Sequence, residues 1–452
     1  MFKRVSLWML CLALVIGLTA CGGGETSSTP SSDPGSTTPA DGEKEWMNGL
    51  NFGGRKFIIG LGGDWGPKAG ESEGSDRQLA LIEEIQSKYN CTIEYQAMPS
   101  IEGQLQATAL AGTYLADVCY AQSYNLIPGY AKAGLVHAVS DFDVFDFSEP
   151  KWNTGMIDYC TYRGKVYAFP EGYTDLGAGV FFNKDLFEAN SLQSPYELYE
   201  SDSWTWQAMV DYATALTQDT DGDGENDQWG LAIDSDYYPF LFSNNVHMLE
   251  YQNDKYTYTL NSPAAVEALE FFIEQSNSDI NAPWLGDNLS SRVTPFVEGR
   301  IGMLVANVSH ASTYFGDMSD DYGWVPFPKG PSADTYQLYR ASTSCYIVPT
   351  PVQNPEQVFQ MYDLITDWVQ EVDALALYKS PLLCDDESLE ILRDAYDGAW
   401  NDYDMSNMVA GFKALTRSGI DAAWGGDVAV KTAVDSVADA AQQLIDESLN
   451  AA

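Results

Sequence analysis

The chain has 452 residues, 45% hydrophobic and 19% charged; that length allows two or three domains, and that composition excludes global disorder. With 65 Asp plus Glu against 23 Lys plus Arg, the formal net charge is −42. Phosphate backbones repel such a chain, which excludes nucleic acid as a partner and disfavours anionic small molecules unless a basic pocket is built locally. Aromatic residues reach 13%, with 27 Tyr and 12 Trp. That exceeds the needs of a core and points to an aromatic recognition surface.

The first 21 residues, MFKRVSLWMLCLALVIGLTAC, carry Lys3 and Arg4 ahead of an apolar run, Val5 to Gly17, that is too short for a bilayer span and right for a secretory signal. Small residues before Cys21 resemble the bacterial lipobox. Residues 1–20 therefore read as a lipoprotein signal peptide, and Cys21 as the lipidated residue. The Gly/Ser/Thr/Pro tract that follows, to residue 45, cannot bury a core and reads as a disordered tether. Two acyl chains suffice for stable anchoring, placing the protein on the outer face of the cell membrane. Five cysteines remain, Cys91, Cys119, Cys160, Cys345 and Cys384, without a CxxC pair; they read as small buried apolar residues, with a bridge such as Cys91 to Cys119 left open.

Along the mature chain, the apolar run Lys56–Leu61 predicts a buried strand ended by Gly62 and Gly63. Ser75–Tyr89 has helical spacing, Cys91–Tyr95 alternates as a strand, Ile101–Ala111 is helical, Ala116–Tyr120 is a third strand and Ile127–Ala133 begins another helix. This alternation predicts an α/β lobe with a largely parallel sheet. Lys165–Pro170 and Gly179–Asn183 are further strand patterns. Helical patterns follow at Thr205–Leu216, Ala264–Gln275, Ser291–Val297, Asn354–Val369 and Asp427–Leu449. Strand patterns appear at Trp229–Ala232, Gly302–Ala306, Tyr322–Pro326 and Cys345–Pro349.

Five segments in order carry a family resemblance: Gly164–Pro170, Phe182–Phe187, Ser203–Trp206, Val297–Met303 and Val325–Pro328. Together with the lipobox they resemble the family 1 extracellular solute-binding proteins, the sugar receptors of ABC importers. The resemblance implies a two-lobe periplasmic-binding-protein-like fold of type II, with parallel-rich sheets, a hinge and a cleft between the lobes. It implies an N-lobe of 46–168 plus 325–376 and a C-lobe of 169–324 plus 377–452. The residues themselves support only the first break, at Phe169-Pro170, where Pro170 and Gly172 interrupt the strand pattern as a hinge connection requires.

Asp219-Thr220-Asp221-Gly222-Asp223-Gly224-Glu225-Asn226-Asp227 places carboxylates at loop positions 1, 3, 5 and 9 and Gly at 6, the oxygen-ligand spacing of an EF-hand loop. Glu225 would offer its backbone carbonyl. Gly230 stands where the bidentate Glu would be, so Gln228 or water must complete the shell. The expectation is a structural Ca2+ in loop 219–228, against the alternative of a solvated acidic turn.

A sugar site needs hydrogen-bonding side chains beside flat aromatic faces, and ligands of open α/β sheets sit beyond the carboxyl ends of strands. That rule points first to Asp64 and Trp65 after the first strand; after the third come Gln122, Tyr124 and Asn125, where the resemblance implies ligand contact and the residue types fit. The resemblance adds Tyr173 and Asp175 after the crossover. It also adds Asn307, Ser309 and His310 after the late strand, where Ser309 and His310 depart from the aromatic residue the family often has. Trp424, in a Gly-rich bend of the tail, is placed to close over the ligand. Trp204 and Trp206 read as core. Gly70-Glu71-Ser72-Glu73-Gly74 matches GxSxG but lacks the preceding strand that a nucleophile elbow needs, there is no HExxH, and three His leave little choice of base. The chain is thus read as a non-enzymatic, monomeric binding protein that captures a sugar or oligosaccharide for a membrane permease. The alternatives are a binder of a cationic ligand or peptide, which suits the charge equally well, and a cell-surface glycan-binding or glycan-hydrolysing protein.

Overall fold

Two four-stranded sheets organise the chain. The computed structural model describes residues 44–149, 151–169, 177–283, 290–340, 344–371, 385–397 and 401–450. The chain divides into two compact units, 1–49 and 50–452. In the first, the described residues hold a single 3-10 turn, Glu45–Met47. No helix among the described residues is long and apolar enough to cross a membrane.

In the second unit the strands are β1 (Arg55–Leu61), β2 (Cys91–Ala97), β3 (Val118–Gln122), β4 (Thr161–Tyr162), β5 (Lys165–Val166), β6 (Ala178–Asn183) and β7 (Trp229–Ile233). They continue as β8 (Leu249–Gln252), β9 (Lys255–Tyr258), β10 (Ile301–Asn307), β11 (Tyr322–Pro326), β12 (Leu338–Arg340), β13 (Ser344–Ile347) and β14 (Asn401–Tyr403). The first sheet has the order β13-β3-β1-β2 and the second β11-β6-β10-β7. β1 runs parallel to both β2 and β3, and β13 is antiparallel to β3. In the second sheet β10 is parallel to β7, while β6 is antiparallel to both β10 and β11.

The apolar runs become strands because both sheet faces are covered. Phe57, Ile59, Val118, Val180, Phe181, Leu231 and Leu304 are all essentially inaccessible, each contributing about 1.5–3 kcal/mol by burial. Helix ends are set locally. The Ser72 hydroxyl accepts from Ser75 N at 3.1 Å and starts the helix Glu73–Tyr89, which Asn90 ends in a left-handed conformation. Pro195, Pro263 and Pro355 each open a helix at its first turn. As expected, Trp204 and Trp206 are core. Trp204 donates Nε1 to Pro326 O at 2.8 Å, and Trp206 stacks on Phe271 at 4.3 Å while donating to Ser243 Oγ. In the first lobe Lys151 is buried, with Nζ 3.0 Å from the Asp363 carboxylate and 2.6 Å from that of Asp367, and so fastens its segment to the helix Pro355–Ile365. Cys91, Cys119, Cys160 and Cys345 are unpaired; burial pushes the thiols of Cys119 and Cys160 up to about 12. Cys384 lies outside the described residues.

Two connections between the sheets run side by side. In one, Phe169 bridges to Tyr346 in the first lobe and the chain re-emerges at Gly177 before β6. In the other, the chain leaves β11 and passes through β12, which pairs with β14, to β13. A Cβ on Gly177 would lie 1.6 Å from the Tyr339 carbonyl oxygen, so only glycine lets the two connections approach this closely. The expected return to the first lobe at residue 325 is corrected: Val325 and Pro326 register with Val180 and Gly179 in the second sheet, so the return falls between Pro326 and Ser344. The expected strand Lys165–Pro170 is reduced to the short β4–β5 hairpin plus the single Phe169 bridge. The proposed hinge residues Pro170 and Gly172, and the third crossing near 376, lie outside the described residues.

Candidate functional site: the cleft between the two sheets

The connections locate the cleft. Ser344, which opens β13 directly after one crossing, pairs with Gln122 at the carboxyl end of β3. Ala178, which opens β6 directly after the other, pairs with Asn307 at the carboxyl end of β10. Both sheets thus turn the carboxyl ends of their parallel strands toward the crossings, where α/β sheets hold ligands.

On the first wall the loop after β1 presents Trp65, which is 63% exposed. Its ring meets Tyr120 edge-on at 5.3 Å, and Tyr120 in turn meets Tyr346 at 6.2 Å. Gly63 makes this placement possible, since a Cβ there would come within 2.7 Å of the indole. Gln122 Nε2 donates to Tyr120 Oη at 2.5 Å. The Glu102 carboxylate accepts from Gln122 N at 2.8 Å and from Asn125 Nδ2 at 3.3 Å, tying these two predicted residues together. Burial, more than the neighbouring Glu102 charge, raises the Tyr120 hydroxyl, so it stays a neutral donor. Tyr124 is exposed. Asp64 turns outward instead, with its carboxylate 82% exposed and 3.1 Å from Lys68 Nζ.

On the second wall β10 ends at the exposed Asn307, and Ser309 leads into the short helix His310–Tyr314. His310 Nε2 lies 3.2 Å from Asp234 Oδ2, both groups nearly buried, and Tyr314 stands 5.4 Å from the His310 ring. Asp234 directly follows β7. Two residues further on, Asp236 Oδ2 pairs with Arg417 Nη1 at 2.5 Å, and Arg417 Nε also donates to Asp421 at 2.7 Å. Burial opposes the Arg417 charge, but these two carboxylates more than offset it and raise its pKa. Tyr238 stacks on Tyr339 at 4.7 Å and 11°. Lys413 Nζ sits 4.3 Å above the Tyr238 ring, donates to Tyr339 Oη at 3.1 Å and lies 3.4 Å from Asp404. This wall offers charged donors and acceptors in compensated pairs beside flat rings, chemistry suited to a neutral, hydroxyl-rich ligand.

Sequence reasoning missed Asp234, Asp236, Tyr238 and Arg417. The same rule of strand ends, applied after Trp229–Ala232, would have reached the first three. Trp424 does not join this wall. It lies about 16 Å along its helix from Lys413 at 1.5 Å per residue. There its ring packs on Phe272 at 4.8 Å and Nε1 donates to Asn277 Oδ1. Tyr173, Asp175 and Cys21 lie outside the described residues.

The acidic loop is exposed and internally bonded. Ligand oxygens of Asp219, Asp221 and Asp227 all lie within 4.8 Å of one another. The backbone N–H groups of Gly224 and Gly222 hold the Asp219 carboxyl below the usual range, and Thr220 Oγ1 donates to Asp227 at 2.5 Å. Hard oxygen donors at this spacing fit a calcium ion. Asp223 is outside that group, accepting instead from Glu225 N at 2.9 Å, and Gln228 donates its side-chain amide to Leu216 O at 2.7 Å.

Residues 69–367 match the family model described as bacterial extracellular solute-binding protein. Among solved structures, UspC of M. tuberculosis superposes with a TM-score of 0.61 at 16% identity, covering 86% of this chain and 100% of that one. The sugar-binding protein MalE of Xanthomonas citri gives 0.62 at 14% identity, covering 87% and 98%. The maltose/maltodextrin-binding domain MalE of Bdellovibrio bacteriovorus, bound to maltotriose, gives 0.54 at 17% identity, covering 86% and 99%. At such identities the likeness carries the fold, that of type II periplasmic sugar-binding proteins. The family model spans about two-thirds of the chain and takes in elements of both sheets, from the helix after β1 to the one after β13, and on that match the chain belongs to the bacterial extracellular solute-binding proteins.

Proposed function

We propose that this protein is the substrate-binding component of an ABC importer, capturing a sugar or oligosaccharide between its two lobes and delivering it to a membrane permease. One observation carries the reading: an exposed indole, Trp65, follows a strand of the first sheet, and compensated polar pairs such as Asp236–Arg417 follow a strand of the second, at the strand ends that face the crossings. Sugar-binding neighbours of the same fold support it. Ligand bridging the two walls favours the closed arrangement by its differential affinity for it, and the bound molecule leaves chemically unchanged. Lipid on Cys21 would hold the protein, as a monomer, on the outer face of the membrane. Asp219, Asp221 and Asp227 would hold a calcium ion that fastens the loop between the helix Trp206–Leu216 and β7; it takes no part in ligand capture.

The test is a thermal-shift screen of residues 22–452 against neutral mono- and oligosaccharides, polyamines and peptides, with chromatography of the ligand afterwards. Saturation at a hundred times Kd adds about 2.7 kcal/mol. A shift with a sugar recovered intact supports the reading. Silence across the sugars, or turnover of the one that binds, refutes it.

A further inference from the structure

A cavity of about 530 Å3 opens between the helix Thr154–Tyr159, the β8–β9 hairpin and the turn Met405–Met408. Of the cleft groups named above, only Asp404 borders it. Its lining carries three carboxylates, Asp158, Glu250 and Asp404, and no lysine or arginine among the described residues. Aromatic rings make up much of the remaining wall. Tyr251 and Tyr256 meet at 4.9 Å and 52°, forming a concave corner, and Tyr251 is 60% exposed.

Two of the three carboxylates are held by hydrogen bonds, while Asp158 is exposed. Asp404 is almost wholly buried and accepts from Ser406 N at 2.9 Å, with Lys413 offsetting part of its charge at 3.4 Å. Glu250 accepts from Gln252 Nε2 at 2.5 Å. Asp158 lines the same cavity as Tyr251 and Tyr256, and burial, with smaller contributions from Tyr251 and Asp158, pushes the Tyr256 hydroxyl up to about 12. A cavity of this size lies within the range of small-molecule sites. A positive charge there gains from the carboxylates and from the tyrosine faces together.

We infer that this cavity, which also lies between segments of the two lobes but shares only Asp404 with the cleft walls described above, is a second ligand site, and that it takes an organic cation bearing an ammonium group on a carbon skeleton, as in a polyamine or an amino sugar. The inference does not depend on the sugar reading of the cleft.

The test is calorimetric titration of residues 22–452 with spermidine and, separately, with glucosamine, in about 150 mM NaCl to screen diffuse attraction and with calcium present to cover the acidic loop. The variants are Asp158→Asn, Glu250→Gln and Tyr251→Ala, at exposed or half-exposed positions, checked for folding by circular dichroism. The expected result is saturable one-to-one binding of at least one probe, weakened about tenfold or more by Asp158→Asn and by Tyr251→Ala and unchanged by Trp65→Ala in the cleft. Three results would overturn it: no binding of either probe, binding that all three variants leave intact, or binding lost only with Trp65→Ala. Cation binding that depends on Asp158 in a protein that ignores every sugar would uphold this site while refuting the cleft's proposed ligand.

Discussion

Replacing Trp65 with alanine separates recognition from folding. The indole is 63% exposed, so of a side chain of about 250 Å2 roughly 160 Å2 remains uncovered in the free protein. A sugar ring stacked on one face covers about half of that, ~80 Å2, worth about 2 kcal/mol at ~25 cal/mol/Å2. Trp65→Ala should therefore weaken sugar binding roughly thirtyfold. Among the described residues, the packing forfeited is the edge contact with Tyr120 at 5.3 Å, about 0.5–1.5 kcal/mol, and the cover over Gly62 and Gly63, so the unliganded protein should melt within a few degrees of the parent. Calorimetric titration with the sugar found by thermal shift gives the affinity, and scanning calorimetry of the free protein gives the stability. A Kd changed less than about threefold would refute the stacking role. A collapse in stability comparable to a core deletion would refute the placement of the ring on an open wall.

Three further outcomes are expected. Lys151→Met leaves the Asp363 carboxylate, itself inaccessible, without its cation, and should cost about 3–5 kcal/mol in urea unfolding, part of it recovered by adding Asp363→Asn. Burial lowers the pKa of His137 below its ordinary 6.5. As pH falls through about 6.5 the unfolded chain therefore takes up a proton that the folded chain refuses. Stability falls from there until the folded pKa is reached and then levels, and His137→Gln should flatten that part of a melting-temperature profile taken between pH 7 and 5. Asp221→Asn removes one of the three converging carboxylates of the acidic loop and should abolish any rise in melting temperature produced by calcium and reversed by a chelator, without altering sugar affinity.

Strand and helix positions with a clear period were readable from residues alone. Ile101–Ala111 coincides with the observed helix, and Gly179–Asn183 and Tyr322–Pro326 coincide with β6 and β11 to within a residue. Elements without a long period were missed. The β8–β9 hairpin is a short polar-aromatic stretch, Leu249–Tyr258, whose pairing depends on the tail that covers it, where Tyr256 and Tyr258 bond to Asn450 and Gln442. The Asn354–Val369 pattern reads as one amphipathic helix, and its break between Ile365 and Trp368 comes from Thr366 Oγ1 turning back on the Tyr362 and Asp363 carbonyls. In the cleft, the rule of strand ends reached positions that the structure does set at strand ends, since Gln122 closes β3 and Trp65 and Asn125 follow β1 and β3 within a few residues. Lys413, Arg417 and Tyr339 arrive from about 100 to 180 residues away from the aromatic and acidic partners they touch just after β7, and no local pattern signals such an encounter. Trp424 was drawn to the site by its Gly-rich setting, whereas Phe272 and Asn277 use it as packing.

The crystal structure of the protein with the sugar selected by thermal shift tests the central claim most directly. It should show one intact sugar between the two sheets, with a ring face on Trp65 and hydroxyls bonded to groups of the opposite wall such as Asp236 and Arg417. A sugar bound anywhere else, a cleaved product in the cleft, or failure of every sugar to bind would contradict it.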